Sequence, residues 1–555
     1  MAQAQKITNP RGSVEPWSDN APSPRLILTF PQGLNETVTP RPGECTEGYN
    51  FDLQAFRSSL NSRAPFDLMG TAPNAGAITS FLQLVKRDNT ETTLVVAGST
   101  AYQWDGSSSF TSRKTGLTVD ALLRGSYWSL GDYLVITDLN LGNVVSTWDG
   151  TSWATMAHTG IVGNLFAKYA IVWLSRVWLF NITVGTTAFP HMMLACKFED
   201  PTNWDSSTRG GPTTVGGGSF STGLEAFFLL MPDLKPINGV CLFQNQIVIS
   251  TEKGRMWSLT GTSASDFQVV DFKDTDPATG TDCVVSMGND IVYPRQGQAI
   301  QLLYATLNYG NVLGAGLAHW IPNTLSNVTE FNKIVYDLTN QRVLFFVNGK
   351  VLVLYKDILA QDRGAILDGP SPWSAYVTQD SASFNTSDAA YMLRPGSSVY
   401  SVFFGDDSGR VFDLYGLNID GDANSSSTPV PLYRKSRHIG VEVLNPWPYI
   451  EENITGHVRY RRIAQTSLTI SLDWDDEYNT TQNILTLKGP PANDPAPYFG
   501  GEFYFGGSSF FNQGFSATRR MASMNLDPAG KGPGFFISVS ANCGPPIQVD
   551  QIELD

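Results

Sequence analysis

An all-β fold is what the sequence predicts, on three observations: an excess of turn-forming residues, short apolar runs of strand-forming type, and an aromatic-plus-turn pattern recurring at nearly the length of a propeller blade. The 555 residues include 51 glycines and 32 prolines, above the roughly 12 % that the two supply on average. Turns should therefore be frequent. Runs such as Leu94-Val95-Val96, Tyr133-Leu134-Val135-Ile136-Thr137 and Val343-Leu344-Phe345-Phe346-Val347 use branched and flat side chains that suit a pleated surface. The length exceeds that of one domain, so two or three cores are expected.

The first 65 residues are rich in Pro, Asn, Ser and Gly, with prolines at 10, 16, 22, 24, 31, 40, 42 and 65. Proline withholds a ladder donor, so this segment reads as an extended arm and docking segment rather than a central sheet, with a short helix around Phe51 to Asn61. Residues 66–430 carry the repeat. The triplet Trp104-Asp105-Gly106 ends one strand pair and Trp148-Asp149-Gly150 ends another, 44 residues on. Asp-Gly tolerates the positive φ of a tight turn, and the tryptophan can fill the gap between sheets. Weaker echoes stand at Asn203-Trp204-Asp205, Arg255-Met256-Trp257, Gly297 to Tyr304, Gly349 to Tyr355 and Gly409 to Phe412. They predict a β-propeller-like domain of six or seven blades. The apolar stretch from Gly163 to Phe180 is interrupted by Lys168 and Arg176, too polar for a membrane span, and reads as two buried strands joined by a short turn. After a polar loop at 417–429, longer alternating segments such as 456–463 and 466–474 predict a carboxy-terminal β-sandwich over 431–555.

Charged residues are only 16 % of the chain, against about 25 % in typical soluble domains, which suits a surface largely covered by other subunits. The net charge of -14 opposes tight nucleic-acid binding, because that binding rests on Lys and Arg replacing phosphate counterions. Five scattered cysteines, Cys45, Cys196, Cys241, Cys283 and Cys543, form no C-x-x-C pair, so a zinc site or disulfide framework is not indicated and assembly in a reducing cytoplasm is expected. The amino terminus lacks the apolar core of a signal peptide.

Catalytic motifs are sparse. His158, His191, His319, His438 and His457 have no metal-ligand spacing, and no phosphate loop or nucleophile elbow occurs, so no catalytic, cofactor-binding or metal residue is assigned and the chain reads as a non-enzyme without a cofactor. Asp473, Asp475 and Glu477 would share one face of a strand but read as a wet strand end. Asp420, Asp422 and Asn424 resemble the start of a calcium loop without its terminal glutamate. Ser146 to Trp153 approaches the Asp-box of sialidase propellers in the wrong register. Arg434, Lys435, Arg437, Arg459, Arg461 and Arg462 form a basic cluster that could meet acidic neighbours or phosphates.

The order of several short motifs then resembles one family. Gly33-Leu34-Asn35, Pro42-Gly43-Glu44-Cys45, Asn50-Phe51 and Ser62-Arg63, followed by Val95-Val96-Ala97-Gly98-Ser99-Thr100-Ala101-Tyr102-Gln103-Trp104-Asp105-Gly106, look like the start of the tail nozzle proteins (tail tubular protein B) of podovirus-like short-tailed bacteriophages. Phe198 to Trp204, Asn245 to Gly261, Gly532 to Ile537 and Pro545 to Val549 are similar to later parts of that family. The resemblance implies a structural virion protein of the viral tail: a homohexamer docked on the tail adaptor or head-to-tail connector, neighbouring tail fibre, spike or needle proteins. Such a ring extends the DNA ejection channel without tight or sequence-specific DNA binding and without membrane insertion. The alternatives are a propeller that binds or cleaves polysaccharide, or another phage structural part.

Overall fold

The computed structural model describes residues 26–28, 33–37, 44–54, 57–64, 66–205, 224–272, 278–280, 282–295, 299–303, 317–328, 331–347, 349–360, 371–377, 386–415, 430–436, 439–440, 454–461, 466–474, 480–487, 520–526, 534–543 and 548–554. Five strands come first: β1 (Leu26–Leu28), β2 (Cys45–Tyr49), β3 (Phe51–Gln54), β4 (Arg57–Ser62) and β5 (Asp67–Thr71). A series of antiparallel meanders follows. The first sheet holds β6 (Ile78–Val85), β7 (Glu91–Ala97), β8 (Thr100–Trp104) and β9 (Phe110–Lys114), and the second β10 (Leu123–Trp128), β11 (Tyr133–Asp138), β12 (Ser146–Trp148) and β13 (Trp153–Thr155). The third is β14 (Leu165–Trp173), β15 (Arg176–Val184), β16 (Thr187–Ala195) and β17 (Phe227–Leu230), and the fourth β18 (Ile237–Phe243), β19 (Gln246–Thr251), β20 (Met256–Thr260) and β21 (Gln268–Asp271). The fifth has β22 (Val285–Ser286), β23 (Ile291–Arg295) and β24 (Ala299–Leu302); the sixth β25 (Lys333–Asp337), β26 (Arg342–Val347), β27 (Lys350–Tyr355) and β28 (Trp373–Tyr376). The seventh, β29 (Thr386–Leu393), β30 (Tyr400–Asp406) and β31 (Arg410–Asp413), takes its outer strand from the amino end, with β5 paired to β31.

The first strands of successive sheets pack side by side, β6 on β10, β10 on β14, β14 on β18, β18 on β22, β22 on β25 and β25 on β29, and β29 packs back on β6. This closed circuit is a seven-bladed β-propeller, which settles the six-or-seven alternative. Second strands are flanked by blades on both faces and are buried almost end to end, as in β11, β15 and β26. That is why they read as unbroken apolar runs. Alternate residues go to opposite wedges: Leu94 and Val96 join Leu134, Ile136 and Trp148 between blades one and two, whereas Val95 and Ala97 join Phe403 and Val411 between blades one and seven.

The sequence echoes mark third strands. Trp104 and Trp148 end β8 and β12, Trp257 lies in β20, and the echoes at 297–304, 349–355 and 409–412 cover β24, β27 and β31. Trp204 is the exception, a buried residue in the connection after β16. The stretch from 163 to 180 is the expected strand pair. Its turn, Leu174-Ser175, has φ of 50° and 54°, matching the doubly positive two-residue hairpin turn although neither residue is glycine.

Beyond the propeller lie β32 (Val430–Ser436), β33 (Ile439–Gly440), β34 (Ile454–Arg461), β35 (Thr466–Trp474), β36 (Thr480–Leu487), β37 (Arg520–Leu526), β38 (Gly534–Cys543) and β39 (Gln548–Leu554). They build two six-stranded sheets, and each sheet also takes strands from the amino end. In one, β3, β4, β39, β34 and β37 run in order with β1 beside β39; in the other the order is β2, β32, β38, β35 and β36, with β33 beside β38. The helix expected around Phe51 to Asn61 is instead the β3–β4 hairpin, with Phe51 opposite Ser62. Its sequence had no helical stripe, and pairing to β39 supplies the backbone partners. The propeller is thus inserted between the two chain ends that share these sheets.

Trp148 is fully buried in the wedge between blades one and two and packs on Trp153, ring centroids 6.4 Å apart. Trp148→Ala should cost about 3–5 kcal/mol, read as a lower urea midpoint for the propeller and faster amide exchange in β7 and β11.

Candidate functional site: an ion-crossed channel and a buried joint

Charged side chains from three first strands and from the segment before β22 meet one another between blades. Arg124, at the start of β10, donates through Nε to Asp282 at 2.5 Å and through an Nη to Asp388 of β29 at 3.2 Å. Lys333 of β25 donates to the same Asp282 carboxylate and stands 3.8 Å from Asp388. Asp388 also accepts the Phe81 amide of β6 at 3.2 Å. Blades one, two, five, six and seven are thereby tied across the channel. Burial alone would raise the Asp282 pKa, but Lys333 and Arg124 outweigh it and hold the carboxyl down at about 2. Arg124, Lys333 and Asp388 also line an open depression of about 430 Å³, together with Phe81, Val285, Ile334, Tyr336, Leu338 and Tyr391.

A second cluster joins the propeller to the paired sheets. Asp52 of β3 accepts from both terminal nitrogens of Arg342 on β26, at 3.2 and 3.3 Å, and from the hydroxyls of Tyr355, at 2.9 Å, and Tyr376. Both tyrosines are buried. Burial works against the Arg342 charge, yet Asp52 keeps its pKa well above the ordinary value. Nearby Asn50, at φ 60°, accepts through Oδ1 from Arg63 Nε at 2.8 Å and the Val377 amide at 2.7 Å. The Arg63 guanidinium lies 3.7 Å from the centre of the Phe66 ring, a cation–π contact. Glu44 accepts from Asn35 at 2.5 Å and the Ser371 amide at 2.9 Å, while the Gly33 and Leu34 amides donate to Ser371 and Trp373 carbonyls at 2.9 and 2.8 Å. A Cβ on Gly33 would overlap the Trp373 carbonyl oxygen, so only glycine allows that approach. The short amino-terminal motifs thus converge on the outer edge of blade six.

The residues weighed in the sequence fall elsewhere. Asp473 is the next-to-last residue of β35, paired with Thr480 and Phe536. Asp475, Glu477, Asp420, Asp422 and Asn424 lie outside the described residues, as do Arg437 and Arg462. Arg434 and Lys435 sit on β32 of one six-stranded sheet, Arg459 and Arg461 on β34 of the other. Asp149 accepts the amides of Thr151 and Ser152 at 2.8 and 2.7 Å, which is turn chemistry. Burial pushes the thiols of Cys196 and Cys241 up to about 12, so neither is a reactive thiolate at neutral pH.

The ring and its inserted position define a β-propeller protein. No protein-family profile matches the chain, and no curated protein matches it. Among solved structures it is similar to YCF48 bound to D1 peptide, at 12 % identity and a TM-score of 0.40, over 65 % of this chain and 97 % of that one. It is also similar to the WD40 β-propeller domain of Doa1, at 10 % and 0.36 over 63 % and 96 %, and to the β-propeller domain of Myceliophteria thermophila Cps50 (Swd1), at 11 % and 0.38 over 63 % and 99 %. Likenesses this distant carry no functional argument. The blade assignment stands on the strand pairing described above.

Three substitutions test these clusters. Lys333→Met should lower stability at neutral pH by about 3–5 kcal/mol, because it strips a cation from a buried carboxylate. The Asp282 pKa is depressed on folding, so its contribution is present above the ordinary value of 3.8 and is lost as pH falls toward about 2. The gap between wild type and variant in denaturant unfolding should therefore close across that window. Asp52→Asn should loosen the joint by a similar ~3–5 kcal/mol, seen as faster amide exchange in β3 and β4 with β6 and β10 unchanged. Arg342→Lys should behave like Asp52→Asn, since an ammonium lacks the planar fork that reaches both carboxylate oxygens.

Proposed function

We propose that the chain is a structural, non-enzymatic protein of a short-tailed phage particle: the tail nozzle, a hexameric ring that extends the DNA ejection channel beneath the tail adaptor. One observation carries this assignment. Gly33, Glu44, Asn50 and Arg63, which lie in the motifs resembling the nozzle family, together build the joint that clamps blade six to the two sheets at the chain ends. These residues have a shared mechanical task, holding a propeller in fixed relation to a second body. In this assignment the six-stranded sheets pack as a sandwich that docks on the adaptor and on neighbouring copies, with fibre, spike or needle proteins further out.

Arg124, Asp282, Lys333 and Asp388 cross the propeller axis, so the DNA passage is enclosed between copies and not within one propeller. The net charge of -14 favours a wall along which phosphates slide without sticking. Assembly takes place in the host cytoplasm, and the mature location is the virion tail. Antibody labelling of purified virions under the electron microscope should mark the tail tip, and the chain mixed with its adaptor should form rings. A chain absent from particles and monomeric beside the adaptor would refute the assignment.

A further inference from the structure

We propose that the propeller cavity between blades six and seven is a binding site for a neutral sugar ring. The polar cluster in its lining has donors to spare. Arg124 offers five N–H groups and Lys333 three, yet Arg124 places one each on Asp282, the Leu123 carbonyl and Asp388, and Lys333 hydrogen-bonds only to Asp282. The remaining N–H groups meet no acceptor among the described residues, and both side chains keep some exposure, 18 % and 15 %. Asp388 accepts from Phe81 and Arg124, which leaves part of its lone-pair capacity for a hydroxyl donor.

Charge selects the ligand class. The two cations and two carboxylates of the cluster balance, so an ionic ligand would lose its hydration without gaining a counter-charge. A neutral ligand that both accepts and donates meets no such penalty. The lining is apolar as well, through Phe81, Val285 and Ile334, and includes Tyr391, which stacks on Tyr400 at 5.3 Å and 18°. Tyrosine presents an apolar face beside a polar tip, and the Tyr391 hydroxyl is already held by Thr339 at 2.7 Å, which fixes the ring. A pyranose, with hydroxyls at its edge and C–H groups on its face, fits a lining that combines a polar cluster, apolar side chains and a fixed tyrosine ring. The volume of about 430 Å³ falls within the range of small-molecule sites. This site gives the polysaccharide-binding alternative a location and a ligand class, and it does not depend on where in a particle the chain sits.

The test uses the full chain with neutral disaccharides, maltose, lactose and a mannose disaccharide, at millimolar concentration, followed by saturation-transfer NMR and calorimetry, with glucuronate as the charged comparison. At least one neutral sugar should bind, glucuronate should bind more weakly, and Tyr391→Ala should weaken binding about tenfold or more, a loss of about 1.4 kcal/mol. Leu338→Trp, at a lining residue that is 56 % exposed, should crowd the site and weaken binding while leaving the urea midpoint in place, because an exposed position carries little stability. If that variant misfolds, Tyr391→Ala decides alone. No transfer to any neutral sugar, binding unchanged in the folded variants, or a preference for glucuronate would each overturn the site. A neutral polysaccharide that binds when the free disaccharides do not would also overturn it, since the cavity admits a single short unit. Such failure leaves the tail assignment untouched, because that rests on imaging of particles.

Discussion

A ring of sheets is fastened when its last sheet is hydrogen-bonded to the chain that opens the ring, and here the pairing of β5 with β31, from Thr71 opposite Arg410 to Asp67 opposite Asp413, is that bond. Much else depends on it. Because the outer strand of blade seven comes from residues 67–71, the chain enters and leaves the propeller at the same blade. The segments on either side are then free to pair with one another, which they do in both six-stranded sheets. Within a blade the contacts are local and form readily, but closure brings together residues more than three hundred positions apart, the class of contact that slows folding.

Two buried charge clusters complete the architecture in different ways. The channel cluster ties five blades through two cationic side chains, two carboxylates and the Phe81 amide, and the joint cluster ties β26, β27 and β28 to β3. Neither adds stability simply by being ionic, since desolvation offsets much of the attraction inside a protein. Their value is selectivity: apolar wedges between blades tolerate sliding, whereas a guanidinium fork on one carboxylate admits a single register. The blades are held in one rotation about the axis, and the propeller is held in one orientation against the paired sheets. Such rigidity suits a wall element in an assembly, and it also shapes the depression that the ions line.

Parts of this were legible in the residues. Strand period and turn chemistry act over a few positions, so Tyr133 to Thr137 as a strand, the strand pair with its short turn within 163–180 and the tryptophans ending β8 and β12 could all be read directly. The misread positions share a cause. Phe51 to Asn61 has weak local preference, and its strands are decided by a partner, β39, almost five hundred residues away. Trp204 has the aromatic-turn signature of a blade but lies after β16, because burial of a tryptophan in a wedge does not require a strand. For the channel, Arg124, Asp282, Lys333 and Asp388 gave no signal at all: they are isolated charges in separate blades, without spacing or motif.

The sequence by itself determined the all-β character, the repeat with its turns, and the low density of charge, because these follow from side-chain shape and from hydrogen-bonding needs satisfied within a few residues. Only the tertiary structure decided the number of blades, the insertion of the propeller between shared sheets, and which charges meet. Those properties depend on closing a circuit in three dimensions, where each blade position is set by the sum of all the others, and no local window of the chain contains that sum.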